Sequence, residues 1–515
     1  MTPAILRTTV LLTSIAFFVT VSTAQAQPVS LSPEGIGQVL IYPYYTVRNG
    51  WTTLLSIVNN DSSNGKVVKV RFLEGKNGAS VASFNLFLAP DDIWTGAVVP
   101  GGTDAKGAQL VSNDDSCTFP SFRPSQTLIP AQLPSIEFSN QAYVADGDSA
   151  ALQTIDRTRE GYIEVIEMVS IPVARKAPSA LVRQTYSFAT GRYLRSPCDA
   201  ISDFDLPSYS AQISPPTGGL SGAASLVNVL GGASSEYTPV TLNGFWLTSP
   251  TITLAPTMTA SASPLPNLST GGNSTAQYFY GGKSYFSKFS HSIDAVSAVL
   301  MSTELTGEHA YTKDAIINTT WIVAAPSKKF YTQGVAVPPF VRPWNVNAGT
   351  ACTDLTIASW DRNSYLDFFD GCGFLCPPGP PPPAMCYATN AVSFGGVTAK
   401  GKDLTFGSGN LIFNGQQSYI GIQNLGVDFS SVGKEGGKTR LMASLPESKL
   451  VAESGSVTSV DLATGQLTTV FGSHTLYGLP MIGVAFSQSS FKTGNPQQNY
   501  ASGFRLQSTR RITTP

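Results

Sequence analysis

The cysteines are the residues of this chain whose types and spacing most clearly imply chemistry. A zinc site needs four ligands in closely spaced pairs, and a redox dithiol prefers C-x-x-C at a helix start. Residues 371–386, GCGFLCPPGPPPPAMC, provide only a C-x3-C followed by two prolines. An even number of cysteines in an exported chain favours disulfides. The six candidates are Cys117, Cys198, Cys352, Cys372, Cys376 and Cys386.

The grouping of the cysteines suggests a pairing, although six cysteines allow fifteen arrangements. Cys117 and Cys198 stand apart in the first half, so we pair them with each other. The other four lie close together and pair among themselves. The arrangement we favour joins Cys352 to Cys372 and Cys376 to Cys386. This would close the proline run into a stiff, exposed arch suited to contact with a partner.

Three histidines, His291, His309 and His474, are the candidate bases for nucleophilic catalysis. A Ser–His–Asp hydrolase of the familiar α/β type would carry a G-x-S-x-G elbow, and the chain has none. The segment Gly472-Ser473-His474 has no supporting context. We therefore predict no catalytic residue. A secreted hydrolase of unrecognised type is kept only as an alternative functional hypothesis.

Acidic residues offer two other kinds of site. Paired carboxylates for glycoside cleavage could come from Asp91-Asp92, Asp114-Asp115 or Glu164 with Glu167. We predict that these are solvated surface acids. Calcium could bind at two oxygen-rich loops, whose candidate ligands are Asp146 and Asp148 in one and Asp361, Asn363, Asp367 and Asp370 in the other. Neither has full EF-hand spacing, so we predict no cofactor and keep structural calcium as an open hypothesis.

The N-terminus has the anatomy of a secretory signal peptide. Arg7 precedes an apolar run from Val10 to Val21, and Ala24-Gln25-Ala26 resembles a cleavage site. The run is shorter than the ~20 residues that span a bilayer. We predict a signal peptide at 1–26, no transmembrane helix, and an exported protein at the cell surface or outside the cell, with a periplasmic location as the alternative.

Composition narrows the class of partner. Lys and Arg number 32 against 33 Asp and Glu, and charged residues make up 13% of the chain. This balance excludes a broad cationic face for nucleic acid. The charged fraction is about half the usual ~25%, a composition that suits an extracellular β-protein. Self-association, another cell-surface protein or a glycan are the partners we expect.

The strand pattern is clearest in residues 37–99. β-branched and aromatic runs of strand length are separated by turn-forming residues, among them Asn77-Gly78, which suits a tight hairpin. Val68, Val70 and Phe72 alternate with polar residues, as expected for a strand with one buried face. We predict an antiparallel β-sandwich of immunoglobulin-like architecture here.

Elsewhere the same β pattern recurs, with one helix predicted at 291–302 and capped by Ser292. The predicted fold class is mainly β, with two or more antiparallel β-sandwich units, one or two short helices and disulfide-stapled loops. The predicted domains follow the signal peptide in order: an N-terminal β-sandwich at 27–125, a central β-rich region at 126–350, a Cys/Pro-rich loop at 351–390 and a C-terminal β-rich region at 391–515.

Several stretches occur together in a characteristic order: LIYPYYTV (40–47), VKVRFLEGKNG (68–78), GYIEVIEM (161–168), AVSAVLM (295–301) and YGLPMIGVAF (477–486). In this combination the chain resembles a family of uncharacterised secreted bacterial β-rich proteins. The resemblance implies an exported β-rich protein and assigns no activity. Our first hypothesis is therefore a non-enzymatic structural, adhesive or partner-binding protein, and the second is a secreted carbohydrate- or ligand-binding module.

Overall fold

Several segments with predicted roles lie outside the part of the chain that the structure describes. The structure, a computed structural model, describes residues 27–101, 106–120, 122–124, 133–172, 184–187, 192–195, 213–229, 231–247, 265–310, 317–362, 366–368, 384–394, 436–444, 446–491 and 498–513. The predicted signal peptide, Cys198, Cys372, Cys376 and the proline run fall outside these residues.

Strands dominate the described residues, as the sequence predicts. Sixteen of the described strands lie in the first half: β1 Ser30–Leu31, β2 Val39–Thr46, β3 Trp51–Asn59, β4 Asn64–Glu74, β5 Ser80–Leu88, β6 Ile93–Gly101, β7 Gly107–Val111, β8 Thr118–Phe119, β9 Arg123–Pro124, β10 Pro134–Glu137, β11 Glu160–Pro172, β12 Gln184–Ser187, β13 Arg192–Arg195, β14 Leu220–Asn228, β15 Ala233–Tyr237 and β16 Val240–Asn243. The strands predicted within 37–99 are confirmed.

The second half continues the pattern with β17 Thr275–Tyr280, β18 Lys283–Lys288, β19 Met301–Ser302, β20 Glu304–His309, β21 Ile317–Ala324, β22 Thr353–Asp361, β23 Leu366–Phe368, β24 Ala384–Met385, β25 Thr389–Phe394, β26 Gly437–Ala443, β27 Lys449–Val451, β28 Gly455–Asp461, β29 Leu467–Gly472, β30 Thr475–Tyr477, β31 Leu479–Pro480, β32 Ile482–Phe491, β33 Gln498–Arg505, β34 Gln507–Thr509 and β35 Arg511–Thr513. The α-helices of the described residues are α1 Gln141–Ala145, α2 Ser292–Leu300 and α3 Lys328–Thr332.

Four antiparallel sheets position the candidate functional residues. Sheet I has the strand order β1-β16-β2-β11-β4-β5-β8, and sheet II the order β15-β14-β3-β6-β7-β10-β9. Sheet III has the order β25-β21-β32-β33, and sheet IV the order β17-β18-β28-β29. The remaining strands form smaller sheets and a further sheet around β22, β26 and β20. The predicted mainly β, antiparallel fold class is confirmed.

Two large hydrophobic clusters form most of the core of the described residues. One joins inward side chains of sheets I and II, such as Val70 and Leu55, and extends to Ile322 of sheet III. The other packs helix α2 and sheet III residues such as Trp321 against the opposite face of sheet I. Sheets I and III are therefore covered on both faces. The shared core agrees with a sandwich-like arrangement, and strands from the predicted central region complete the sheets that residues 27–125 begin.

The central strands of sheet I depart from the expected single buried face. Every residue of β4 after Asn64 is buried, and so is every residue of β11 before Pro172. The sequence of β4 does alternate between apolar and polar residues, but the polar residues are buried as well. Lys69 and Arg71 lie on the second covered face, because other parts of the fold pack over sheet I on both sides.

The predicted hairpin turn and helix are both present, with altered details. The turn after β4 is organised by the buried carboxylate of Glu74, which accepts backbone N–H bonds from Lys76, Asn77 and Ala79 at 2.8–3.1 Å. Gly78 takes the left-handed conformation at φ +69°.

The N-cap of helix α2 lies one residue earlier than predicted. His291 is the N-cap, and its N–H donates to the Asp294 carboxylate at 3.1 Å. Ser292 was predicted to cap the helix, but its hydroxyl instead donates to the Ser269 carbonyl at 2.7 Å. The Ser292 prediction is therefore wrong, because the reciprocal Asp294 contact, invisible to a search for Ser at the N-cap, sets the start.

Candidate functional site

The disulfide pattern differs from the predicted one. Cys352 and Cys386 are bonded to each other, with an S–S distance of 2.01 Å. The predicted pairs Cys352–Cys372 and Cys376–Cys386 are therefore wrong. Strands β22 and β24 pair Thr353 with Met385, which brings the two cysteines together at the base of the loop. Spacing along the chain could not reveal this, because strand pairing sets the distance.

The other described cysteine, Cys117, is also in a disulfide. Its predicted partner, Cys198, lies outside the described residues, so that pairing stays a prediction. The base of the Cys/Pro-rich loop is further held by Lys328, whose ammonium donates to the carbonyl of Met385 at 2.9 Å. Burial lowers the pKa of Lys328 well below its usual value.

His474 is a buried residue of the core. Its Nδ1 lies 3.1 Å from the Tyr278 hydroxyl and 3.2 Å from the Ser287 hydroxyl. Burial lowers its pKa, so the ring is neutral at neutral pH. These hydroxyl contacts and the edge-on packing against Tyr285 are those of a core histidine.

The other two histidines have structural surroundings as well. His309 stacks on Phe394 with ring centroids 4.6 Å apart, and its Nδ1 lies 3.0 Å from the Thr439 hydroxyl. Burial lowers the pKa of His309 to about 4. His291 is exposed at the start of α2, where its contacts are with Asp294. The three candidate bases are thus spread over three separate places.

Glu164 and Glu167 were predicted to be surface acids, and that prediction is wrong. Both side chains are 0% exposed. Glu164 pairs with Arg71 across β11 and β4, and Glu167 pairs with Lys66 at 3.0 Å. Burial raises the pKa of both carboxyls, and the cation beside each one opposes that shift. The signal in the sequence was the charge of opposite sign on β4, at Lys66 and Arg71 in KVVKVRFLE.

A second buried network surrounds Arg157, which sequence reasoning did not single out. Its guanidinium lies 3.0 Å from Glu74 and 2.5 Å from Asp148, and it stacks 4.0 Å from the centroid of the Tyr143 ring. Asp148 also accepts a bond from the Trp344 indole at 2.6 Å. Burial alone would raise the pKa of Glu74, but the Arg157 guanidinium and the backbone N–H groups of Lys76 and Ala79 together lower it.

Lys69 differs from these paired charges. It is 2% exposed and lies on the same face of β4 as Arg71. Burial, reinforced by the Arg71 charge, lowers the pKa of Lys69 to about 7. Its cross-strand neighbours are Asn85 on β5 and Ile166 on β11, neither of which is charged. A buried amine of this kind resists protonation.

The first candidate calcium loop is occupied by cations of the chain itself. Asp146 pairs with Lys329 at 2.5 Å, and Asp148 pairs with Arg157. Within the described residues, no three His, Cys, Asp or Glu side chains come together as a metal site requires. The second candidate loop, around Asp361 to Asp370, lies partly outside them. Calcium binding at that second loop therefore stays a hypothesis.

The two aspartate pairs lie in turns, as predicted. The Asp92 carboxylate accepts the Ala89 N–H at 2.9 Å, and Asp114 accepts the Ser116 N–H at 2.8 Å. Asp91 and Asp115, their neighbours, are exposed. These carboxylates shape turns, which is a common use of aspartate next to backbone N–H groups.

An open groove of about 450 Å³ lies on the outer face of sheet II. Its lining consists of aliphatic, hydroxyl-bearing and other small residues, including Leu54, Thr95, Ala97, Ser112 and Ser225. Sugar-binding modules stack rings on aromatic platforms, and this lining contains no aromatic side chain. The groove therefore lacks the feature that the carbohydrate hypothesis requires.

Sheet IV exposes large apolar side chains. Phe471 is 79% exposed, Leu467 is 65% exposed and Phe279 is 51% exposed. Strand β29 reads Leu-Thr-Thr-Val-Phe-Gly and is exposed along its length up to Gly472. It contains no charged residue and no proline. Among the strands that the structure describes, β29 pairs with β28 alone.

The outward backbone groups of β29 follow from its pairing. The Asp461 N–H donates to the Gln466 carbonyl at 3.0 Å and begins the ladder between β28 and β29. Backbone groups alternate in direction along an antiparallel strand, so Thr468 and Val470 bond to β28. Leu467, Thr469 and Phe471 then direct their N–H and C=O groups away from the sheet. We call this outer side of Leu467–Gly472, which pairs with no described strand, the β29 edge.

Comparison of the chain with protein-family models, curated proteins and solved structures gives no match. Among the described residues, no helix is both long and apolar enough to cross a membrane. The β29 edge is the candidate functional site that the geometry itself indicates.

Proposed function

We propose that this chain is a non-enzymatic exported protein, structural or adhesive, that binds a partner by strand addition at the β29 edge. The observation that carries the proposal is an exposed, uncharged strand of six residues whose outer side pairs with no other described strand. Soluble proteins usually protect such an edge with charge, proline or a bulge, because it pairs readily with other chains. Leu467–Gly472 has neither charge nor proline, which favours a strand kept for binding.

The buried ionisable groups support the same proposal. Glu74, Glu164 and Glu167 are tied to cations beneath the surface, and His474 is enclosed by hydroxyls. Catalytic groups instead converge on a concave site that substrate can enter. These buried charges act within the fold and leave the exposed strand as the feature suited to a partner.

Binding of the labelled mature protein to the surface of cells that display the wild-type chain tests this proposal. We expect the wild-type chain to sediment with the cells and the Leu467→Asp/Phe471→Asp variant to stay in solution, because two carboxylates on the edge oppose strand pairing. Val335→Asp is the matched control, since Val335 is 80% exposed and belongs to no strand of sheet IV. Equal binding by the double variant and the wild type would overturn the proposal.

A further inference from the structure

We infer that the β29 edge, as the proposed binding site, pairs with the β29 edge of a second copy of the chain. The two strands would run antiparallel about a two-fold axis at Thr469. This inference rests on the proposed function of the edge and adds the identity of the partner. It is carried by the direction of the backbone groups, the order of the side chains and the absence of charge on the strand.

The backbone restricts the register of such a pair. Leu467, Thr469 and Phe471 carry the outward N–H and C=O groups, so only these residues form hydrogen-bonded pairs with another strand. A two-fold axis can pass through one of these three residues, or through Thr468 or Val470 at a non-hydrogen-bonded pair. An axis at Thr469 pairs Leu467 with Phe471, whereas an axis at Thr468 or Val470 leaves one of these two exposed apolar side chains without an apolar partner.

The side chains are self-complementary in that register. On the outer face of sheet IV, Leu467 would lie opposite Phe471 of the second copy, and the two Thr469 side chains would face each other. On the other face, Thr468 would lie opposite Val470 of the second copy. Aliphatic–aromatic and Thr–Thr pairs directly across antiparallel strands are stabilising. A bulky residue never meets its own copy head-on.

The surroundings of the strand favour the same arrangement. Phe279, Ser284, Val460 and Leu467 form one row across the outer face of sheet IV. Phe471 of the second copy would continue this uncharged row. The nearest charged pair in the row's neighbourhood, Lys283 with Asp461, lies at the hairpin end, away from the axis.

The symmetry also decides how far assembly proceeds. In a two-fold pairing each copy uses its own β29 edge, so neither copy keeps an unpaired β29 edge. The product is a closed dimer in which the two four-stranded sheets become one continuous sheet. An open fibre would require a second, different edge, which this pairing does not use.

Cross-linking at the axis tests the register. In a hydrogen-bonded antiparallel pair the two Cα atoms lie about 5.5 Å apart, within the range that a disulfide bridges. Thr469→Cys should therefore form a covalent dimer on mild oxidation, seen on a non-reducing gel. Thr468→Cys is the matched control, because the two copies of residue 468 would be offset along the strands, beyond the roughly 7 Å limit for a disulfide.

Sedimentation of the purified proteins completes the test. We expect a dimer for the wild type and a monomer for Thr469→Lys, because two ammonium groups would face each other at the axis. Circular dichroism establishes that each variant is folded. A wild-type monomer throughout the micromolar range, or equal cross-linking at 468 and 469, would overturn the inference. If cell binding still depends on Leu467 and Phe471 in that case, the edge serves another molecule and the proposed function stands.

Discussion

The β4–β11 pair of sheet I and the β28–β29 hairpin of sheet IV distribute polarity in opposite ways. In sheet I, the charged residues Lys66, Arg71, Glu164 and Glu167 are enclosed by the fold. In sheet IV, Phe471 and other apolar side chains are exposed on a strand without charge. The usual pattern of apolar inside and charged outside is reversed in both places.

The contrast between the two regions concerns which strand pairings each of them allows. In sheet I, a slip of β11 by one residue would move Glu164 to the face opposite Arg71, so the buried pairs penalise wrong registers. We take this specificity as a hypothesis, since buried pairs need not stabilise the fold overall. In sheet IV, no charge on β29 opposes pairing with a further strand. The buried pairs of sheet I disfavour other strand registers, whereas the β29 edge can pair with one further strand.

The largest expected effect comes from removing the cation that two buried carboxylates share. Arg157→Met should lower the free energy of unfolding by about 3–5 kcal/mol, because Glu74 and Asp148 lose their counter-charge. Arg159→Met is the control. Its partner Asp156 is 32% exposed, so the expected loss is within about 1 kcal/mol. Urea unfolding measures both variants. Equal losses of unfolding free energy would show that burial does not decide how much an ion pair contributes.

A double-mutant cycle on Arg71 and Glu164 should show the next largest effect. Glu164→Leu alone strands a buried guanidinium and should cost about 3 kcal/mol. The double variant Arg71→Met/Glu164→Leu should return to within about 1 kcal/mol of the wild type, because an apolar pair replaces an ion pair. Additive losses in urea unfolding would show that the two side chains do not act as a pair.

Because the pKa of Lys69 is lowered in the folded chain, we expect the free energy of unfolding to depend on pH. The pKa is about 7 in the folded chain against 10.5 for a free lysine, so the unfolded state binds more protons between these values. Stability should therefore rise with pH across this window, by up to about 1.4 kcal/mol per pH unit. Lys69→Met should remove about 2 kcal/mol of this rise between about pH 7.5 and about pH 9.

The control for Lys69 is Lys438→Met, a change at an exposed lysine of the same chain. Its unfolding free energy should follow the wild-type pH curve. The contribution of Lys69 would be refuted if the curves of Lys69→Met and the wild type stayed parallel across the window.

The smallest expected effect on stability belongs to the exposed strand. Phe471 is 79% exposed, so Phe471→Ser should change the free energy of unfolding by no more than about 0.5 kcal/mol. The same variant should weaken dimer formation in sedimentation. A large loss of stability in the monomer would mean that Phe471 belongs to the core, and the contrast between the two regions would fail.

Local periodicity was enough to predict the strands of 37–99 and the helix at 292–300. It was not enough to tell which polar residues of a strand reach water. Lys69 and Arg71 alternate with Val68 and Val70 as in a half-exposed strand, but a second layer covers them. The disulfide was missed for a related reason, since the pairing of β22 with β24 brings Cys352 to Cys386.

The candidate site was only partly visible in the sequence. The run LTTVFG has the β-branched and aromatic composition of a strand, and self-association was one of the expected interactions. Its position at the end of the order β17-β18-β28-β29 depends on contacts with β18, which lies far earlier in the chain. The residues next to a strand in the sequence do not indicate whether that strand lies at the edge of its sheet.

The amino-acid sequence is sufficient to predict the β-rich class, the main strand and helix positions and the low charge of the chain. These properties depend on local backbone preference and composition, which neighbouring residues set. Tertiary structure alone decided that Glu164 and Arg71 are buried together and that β29 comes last among the described strands of its sheet. Burial and edge position arise from packing between distant segments, so the same alternating pattern can lie under a second layer in sheet I and at the surface in sheet IV.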